Sequence, residues 1–185
     1  MKSVVRNDIL DNLRGLSRDL KQQKSLLIQT QLKKILKDQS GSWVAFQPMS
    51  DEPQLQWPEV SSKIQWAFPK IENNKMSFCA NVQNFEKSPL GFNEPIDGEY
   101  LQLERIDGFV IPGVAFDKSG FRLGRGKGFY DKGLANFAGR KIGVCFALSL
   151  CEKLPHEAHD ITCTQIVTEN EVVEVRKAQG DSQWN

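Results

Sequence analysis

The sequence predicts a layered α/β domain, with helices packed on a mainly parallel or mixed β-sheet in αβα order. Three observations carry this reading. Residues 1–40 have helical periodicity: Val4, Val5, Ile9, Leu10, Leu13 and Leu16 recur three or four apart, and Ser17 is placed to cap the next helix. That second helical stretch puts Leu26, Leu27, Ile28, Leu32, Ile35 and Leu36 on one side and many Lys and Gln residues on the other, and Ser40-Gly41 ends it. Beyond it the pattern changes to short apolar runs bounded by Pro, Gly and Asn, giving candidate strands at 43–46, 64–68, 76–82, 109–111, 142–148 and 166–167. Several runs are apolar throughout, as expected of strands covered on both faces.

The chain has 185 residues, 39% hydrophobic and 25% charged, which suits one domain over 1–185 with a polar tail fraying at 176–185. A formal net charge of +1 gives no global attraction to nucleic acid or anionic membrane, so anion binding has to come from a local cluster. The four cysteines, Cys79, Cys145, Cys151 and Cys163, have neither C-x-x-C nor zinc spacing and read as small apolar residues of a reducing compartment. Charges at Lys2, Arg6, Asp8, Asp11, Arg14, Arg18 and Asp19 leave no room for a secretory signal, and the longest uncharged run, 142–151, is too short to cross a bilayer. The expectation is a cytoplasmic protein acting as a monomer.

The stretch 110–132 carries the chemistry. It leaves a buried strand through Pro112-Gly113 and reaches Gly124, Gly126 and Gly128 at alternate positions. Glycines so spaced let the backbone turn its N–H groups toward an anion. Between Asp117 and Lys132 five basic residues (Lys118, Arg122, Arg125, Lys127, Lys132) face two acidic ones (Asp117, Asp131). A helix predicted to start near Phe129 would add its N-terminal partial charge. Gly126-Lys127 is followed by Gly128 rather than Ser or Thr, so this is not a Walker A loop, and the third glycine comes too early for a dinucleotide fingerprint. On spacing alone, an ordinary glycine-rich turn with solvated charges explains the stretch equally well.

Pro112-Gly113-x-Ala115-Phe116-Asp117, followed by Gly120-x-Arg122-Leu123-Gly124-Arg125-Gly126-Lys127-Gly128-Phe129-Tyr130-Asp131, resembles the signature of the 5-formyltetrahydrofolate cyclo-ligase family, with Phe129 where a tyrosine is usual. The resemblance extends in order along the chain. It takes in Lys2-x-x-Val5-Arg6, Leu16-Ser17, Phe46-x-Pro48-x-x-x-Glu52, Pro69-Lys70, Met76-x-Phe78, Glu94-Pro95, Ile106-Asp107, Leu154-Pro155-x-Glu157-x-His159-Asp160 and Thr168-Glu169. It implies an architecture like that of sugar-phosphate isomerases and CoA-transferases. The implied reaction uses ATP to phosphorylate the formyl oxygen of 5-formyltetrahydrofolate; the 10-nitrogen then attacks, and loss of phosphate gives the 5,10-methenyl product.

The same resemblance assigns roles by position. Lys2, Arg6, Arg122, Gly124, Arg125, Gly126, Lys127, Gly128, Phe129, Tyr130 and Asp131 would bind ATP, with Lys127, Arg125 and Tyr130 nearest the reacting groups. Glu52 would accept hydrogen bonds from the pterin, with Gln47, Phe92 and Tyr130 beside it. Asp131 and Asp160 would hold Mg2+, although Asp131 near a helix start also fits a simple cap. His156-x-x-His159 lacks a third ligand at zinc spacing and is read as lying on the surface or behind the residues that bind ligands. One departure is visible: the connection after Glu52 is short and holds Pro53 and Pro58, which argues against a full helix there and for a rebuilt rim. Two rivals remain, a sugar-phosphate isomerase-like enzyme without ATP and a non-catalytic folate- or nucleotide-binding relative. No base-reading motif supports a nucleic-acid module.

Overall fold

The computed structural model describes residues 1–175; the expected frayed tail at 176–185 lies outside them. The chain opens with α1 (Lys2–Gly15) and α2 (Arg18–Leu36). Ser17 caps α2, its hydroxyl accepting from the Leu20 N–H at 3.2 Å. Then come β1 (Gly41–Val44), α3 (Trp57–Val60), β2 (Ile64–Glu72), β3 (Lys75–Ala80), β4 (Phe85–Lys87), β5 (Asn93–Pro95) and β6 (Glu99–Leu101). The second half holds β7 (Gly108–Pro112), β8 (Ala115–Asp117), β9 (Arg122–Leu123), α4 (Phe129–Gly133), β10 (Arg140–Val144), β11 (Leu150–Cys151), β12 (Gln165–Val167) and β13 (Val172–Glu174). No helix among the described residues is long and apolar enough to cross a membrane.

Eight strands form one sheet in the order β13-β12-β10-β7-β1-β2-β3-β6. Its five central strands, β12, β10, β7, β1 and β2, are parallel, and antiparallel strands close both sides. All six apolar runs of the sequence lie in this sheet. The run at 142–148 stops as strand at Val144, and 147–149 turn as a 3-10 helix. The apolar pattern does not mark the antiparallel edges, because β6 and β13 are three residues each, each carries a glutamate, and none of their residues is fully buried. Asn73 and Asn74, at φ 51 and 59, make the two-residue hairpin turn between β2 and β3.

Alternate side chains send the core to both faces. Trp43, Val110, Ile142, Val144 and Val167 pack under α1, α2 and α3, while Val44, Phe109, Ile111 and Ile166 point the other way. The first face is covered by full helices, with Ile28, Leu32 and Leu36 wholly buried; each such side chain stabilises by about 1.5–3 kcal/mol. Leu26 and Leu27, assigned by periodicity to that face, are exposed. The inward row of α2 instead includes Ser25 and Gln29, which serve the segment after β1. The second face has a thinner cover: Leu134 at the end of α4, Phe116 of β8, and Ile106, Ile161 and Cys163 from loops.

This topology sets the site. β1 runs beside β2 on one flank and β7 on the other, so the chain leaves these parallel neighbours in opposite directions. Such a switch point opens a crevice beyond the carboxyl ends of the strands.

Candidate active site

A cleft of about 270 Å³ lies at that switch point. Phe46, Gln47, Met49 and Glu52 enter it just after β1, and Pro112, Gly113 and Val114 at the end of β7. Pro69 and Ile71 of β2 and Met76 of β3 line it too, as do Leu90 and Phe92 from the loop joining β4 and β5. That hairpin is pinned to β2: Glu94 accepts from the Ile71 N–H at 3.0 Å, and Phe85 meets Phe68 edge-on at 5.1 Å. The facing wall is Arg122, Gly124, Arg125, Lys127, Gly128, Phe129 and Tyr130.

The glycine loop is folded back over the strand ends by the β8–β9 hairpin. Asp117, fully buried, holds that turn by accepting from Ser119 and Phe121 N–H at 2.9 and 3.1 Å, and from Leu154 N–H at 2.8 Å. Gly126 and Gly128 adopt φ of +96 and +67, a region that disfavours other residues. Gly124 does not; its Cβ would instead sit 2.8 Å from the Arg122 guanidinium. The N–H groups of residues 124–128 donate to no acceptor among the described residues. A run of free amides on a left-handed turn is an anion-binding nest. α4 has only five residues, so the helix-terminal charge expected there is smaller than a full helix would give.

The cations divide into held and free. Arg122, with a side chain only 6% exposed, donates to Pro112 O at 3.2 Å, lies 3.5 Å from Asp131, and covers the Tyr130 ring at 4.9 Å. Arg6 donates to Gly124 O at 2.8 Å, and a Cβ at Gly126 would meet its guanidinium at 3.6 Å. One turn earlier, Lys2 reaches Asp160 at 2.6 Å. Arg125 bridges Asp51 at 2.6 Å and Glu52 at 3.3 Å. Lys127 is exposed and makes no ion pair among the described residues.

Glu52 is buried; burial pushes its carboxyl above the ordinary range, with Arg125 and the Met49 N–H, at 2.9 Å, pulling the other way. Burial raises the Tyr130 phenol well beyond its usual value, against Arg122, so Tyr130 keeps its proton. The connection after Glu52 is one helical turn, α3, as its prolines imply. It is ordered all the same: Ser25 and Gln29 of α2 accept from Gln54 and Gln56 N–H at 2.9 and 2.8 Å, and the Trp57 indole donates to Phe46 O at 2.7 Å.

Asp131 and Asp160 line a second cavity, of about 610 Å³, which shares Gly128 with the first. Asp131 accepts from Ile161 N–H at 3.4 Å, and Asp160 from Glu157 N–H at 2.8 Å. Glu157, His159 and Asp160 also bring ligand atoms within 4.8 Å of one another. His156 stacks on Phe121 at 3.7 Å and faces neither cavity. Gln47, Glu52, Phe92 and most of the glycine-loop residues therefore share one cleft, the two aspartates share its neighbour, and Lys2 and Arg6 brace both from α1. Asp51, Met49, Ile71 and Leu90 carried no sequence expectation. Only Asp51 had a visible signal, as a carboxylate beside Glu52.

The site is thus a run of unpaired amides beside a mainly apolar slot with one buried carboxylate, in an α/β domain. The chain belongs to the 5-formyltetrahydrofolate cyclo-ligase family, whose sequence profile matches residues 1–169. It is 43% identical over 79 residues to the Escherichia coli K12 5-formyltetrahydrofolate cyclo-ligase, an alignment spanning 41% of this chain and 43% of that enzyme. The Mus musculus 5-formyltetrahydrofolate cyclo-ligase is 26% identical over 193 residues, covering 91% of this chain and 94% of its own. Among solved structures, the Aquifex aeolicus 5,10-methenyltetrahydrofolate synthetase superposes with a TM-score of 0.85 at 32% identity, over 98% of this chain and 96% of that one. The Mycoplasma pneumoniae 5,10-methenyltetrahydrofolate synthetase, at 21% identity and TM-score 0.76, over 91% of this chain and 98% of that one, shares the fold.

Proposed function

We propose that this protein converts 5-formyltetrahydrofolate and ATP to 5,10-methenyltetrahydrofolate, ADP and phosphate. The observation that carries the reading is the facing of residues 124–128, with amides and a Lys127 that are unpaired among the described residues, against Glu52 across a slot walled by Phe46, Ile71, Met76 and Phe92. The pterin lies in the slot with its amino and ring N–H groups on Glu52, and the formyl oxygen faces the nest. The ATP phosphates lie on the loop and extend past Gly128 toward the second cavity.

Each residue has a defined task in the transfer. The amides of 124–128 and Lys127 receive the charge that develops on the moving phosphoryl group, which needs positioning more than covalent help. Tyr130 and Phe129 shut water from the reacting carbon. Arg6 and Lys2 hold α1 against the loop and against Asp160. Asp131 and Asp160 offer hard carboxylate oxygens, the donor type magnesium prefers, and they border the cavity into which the phosphates extend. Bound there, Mg2+ would neutralise phosphate charge. Unbridged Cys79, Cys145, Cys151 and Cys163 suit a reducing, cytoplasmic setting, and the protein acts as a monomer, with the cleft lined by residues of one chain.

Methenyl absorbance and ADP release, followed with purified protein and 5-formyltetrahydrofolate, test the reading. Both signals should appear together with ATP and magnesium, and neither should appear when either is left out. Folded protein giving no methenyl product with Mg-ATP would overturn it.

A further inference from the structure

Arg125 is not a free cation over the cleft. Its Nη2 sits between Asp51 and Glu52, linking the glycine loop to the turn after β1, 74 residues away. The two carboxylate side chains are only 14% and 9% exposed, whereas Arg125 is 35% exposed. Shielded carboxylates are costly without a partner, so the bridge matters more than a surface pair. The two acids are not equivalent. Glu52 has a second donor in the Met49 N–H, while the Asp51 side chain has Arg125 as its sole partner among the described residues.

We propose that Asp51 is a positioning residue: it parks Arg125 across Glu52, tying the phosphate loop to the substrate turn, so that filling either half of the cleft loosens the tie and favours filling the other. This role rests on the proposed function, in which phosphates lie on residues 124–128 and the pterin on Glu52. When phosphates draw Arg125 off the acids, Glu52 is left as a buried acceptor short of a donor, and pterin N–H groups then bind it better. When the pterin takes Glu52, Arg125 keeps only Asp51 and turns to phosphate at lower cost. Each ligand thus favours the untied form, which is what coupling between sites requires. Linkage makes the effect equal in both directions.

Calorimetric titration of the wild type with a non-hydrolysable ATP analogue and magnesium, with and without saturating 5-formyltetrahydrofolate, measures the tie. The folate should tighten the analogue by about fivefold or more, and the analogue should tighten the folate by the same factor. Asp51→Asn should bring this ratio toward one while tightening the analogue when it binds alone, and Asp51→Glu should restore both. A residue that only braced the turn would weaken both ligands and leave the ratio unchanged, which would overturn the assignment. Binding of both ligands by the wild type with a ratio of one or below would overturn the tie and leave the functional reading standing. Failure of either ligand to bind would overturn that reading and the tie with it. The wild-type ratio needs no variant, so the tie can fail even if Asp51→Asn does not fold.

Discussion

The two walls of the cleft are assembled differently. The wall proposed for phosphate comes almost entirely from one stretch, residues 122–130, and presents backbone amides, left-handed glycines and cations. The facing wall is collected from residues 46–52, 69–76, 90–92 and 112–114, and presents apolar surface and a single buried carboxylate. Amides and charges act over short distances in a fixed order along the chain, so one segment can carry them. A flat apolar slot has to be enclosed from several sides, and only a folded sheet brings those sides together. The phosphate wall should therefore fail abruptly when one group is removed, and the substrate wall by degrees.

The largest effect is expected at Lys127. It is exposed and makes no ion pair among the described residues, so Lys127→Ala should leave the melting temperature unchanged. Turnover should fall by about 100-fold or more, the usual cost of losing one group that stabilises transition-state charge. Steady-state assays with a melting curve alongside decide it. Near-wild-type turnover would mean that the amides of 124–128 suffice, and that the wall works by backbone alone.

Glu52 tests the other wall. Glu52→Gln keeps the shape but replaces one acceptor oxygen with a donor, so it meets the pterin N–H groups with the wrong polarity. Folate affinity should weaken by about 1.5–3 kcal/mol, the range for hydrogen bonds to charged groups. ATP-analogue affinity in the absence of folate should not weaken, because Arg125 is freed rather than removed. Unchanged folate affinity in calorimetry would make Glu52 a brace for Arg125 and Met49 N–H and nothing more.

The same contrast explains what could be read from the sequence. The turn of the glycine loop was legible because it depends on residue types at fixed short spacings: Gly126 and Gly128, though not Gly124, take the left-handed conformation that alternate glycines imply. The strands β1, β7, β10 and β12 were legible because runs buried on both faces are apolar almost throughout. The edges β6 and β13 were not, since their pairing depends on neighbours rather than composition. The partners of the charged residues were equally hidden. Nothing local says that Arg125 meets Asp51 or that Lys2 meets Asp160, because those pairs exist only once distant segments dock. Ser25 and Gln29 were obscured by neighbouring leucines, although their hydrogen bonds order the short connection that the prolines left without a full helix.

The smallest effect separates the walls by pH. The phosphate side is fastened by charge at Lys2 and Asp160, whereas Phe92 contributes only packing. Burial by itself would raise the Asp160 carboxyl, but Lys2 at 2.6 Å and the Glu157 N–H outweigh it and hold it below the ordinary carboxylate range. A carboxyl depressed in the folded state contributes stability that is fully present above the unfolded value, about 3.9, and is lost as pH falls through the lower folded value. The Lys2 side chain is 27% exposed, so solvent screening keeps the contribution to about 1 kcal/mol or less. Asp160→Asn retains an oxygen for the Glu157 N–H and loses only the charge. Urea unfolding of wild type and Asp160→Asn between pH 7 and pH 3 should show a small constant gap that begins to close near pH ~3.9. A parallel Phe92→Ala series should show an offset that does not change with pH. A gap for Asp160→Asn that stays constant to pH 3 would mean that α1 is fastened by shape and backbone contacts, and that the two walls differ less than their residues suggest.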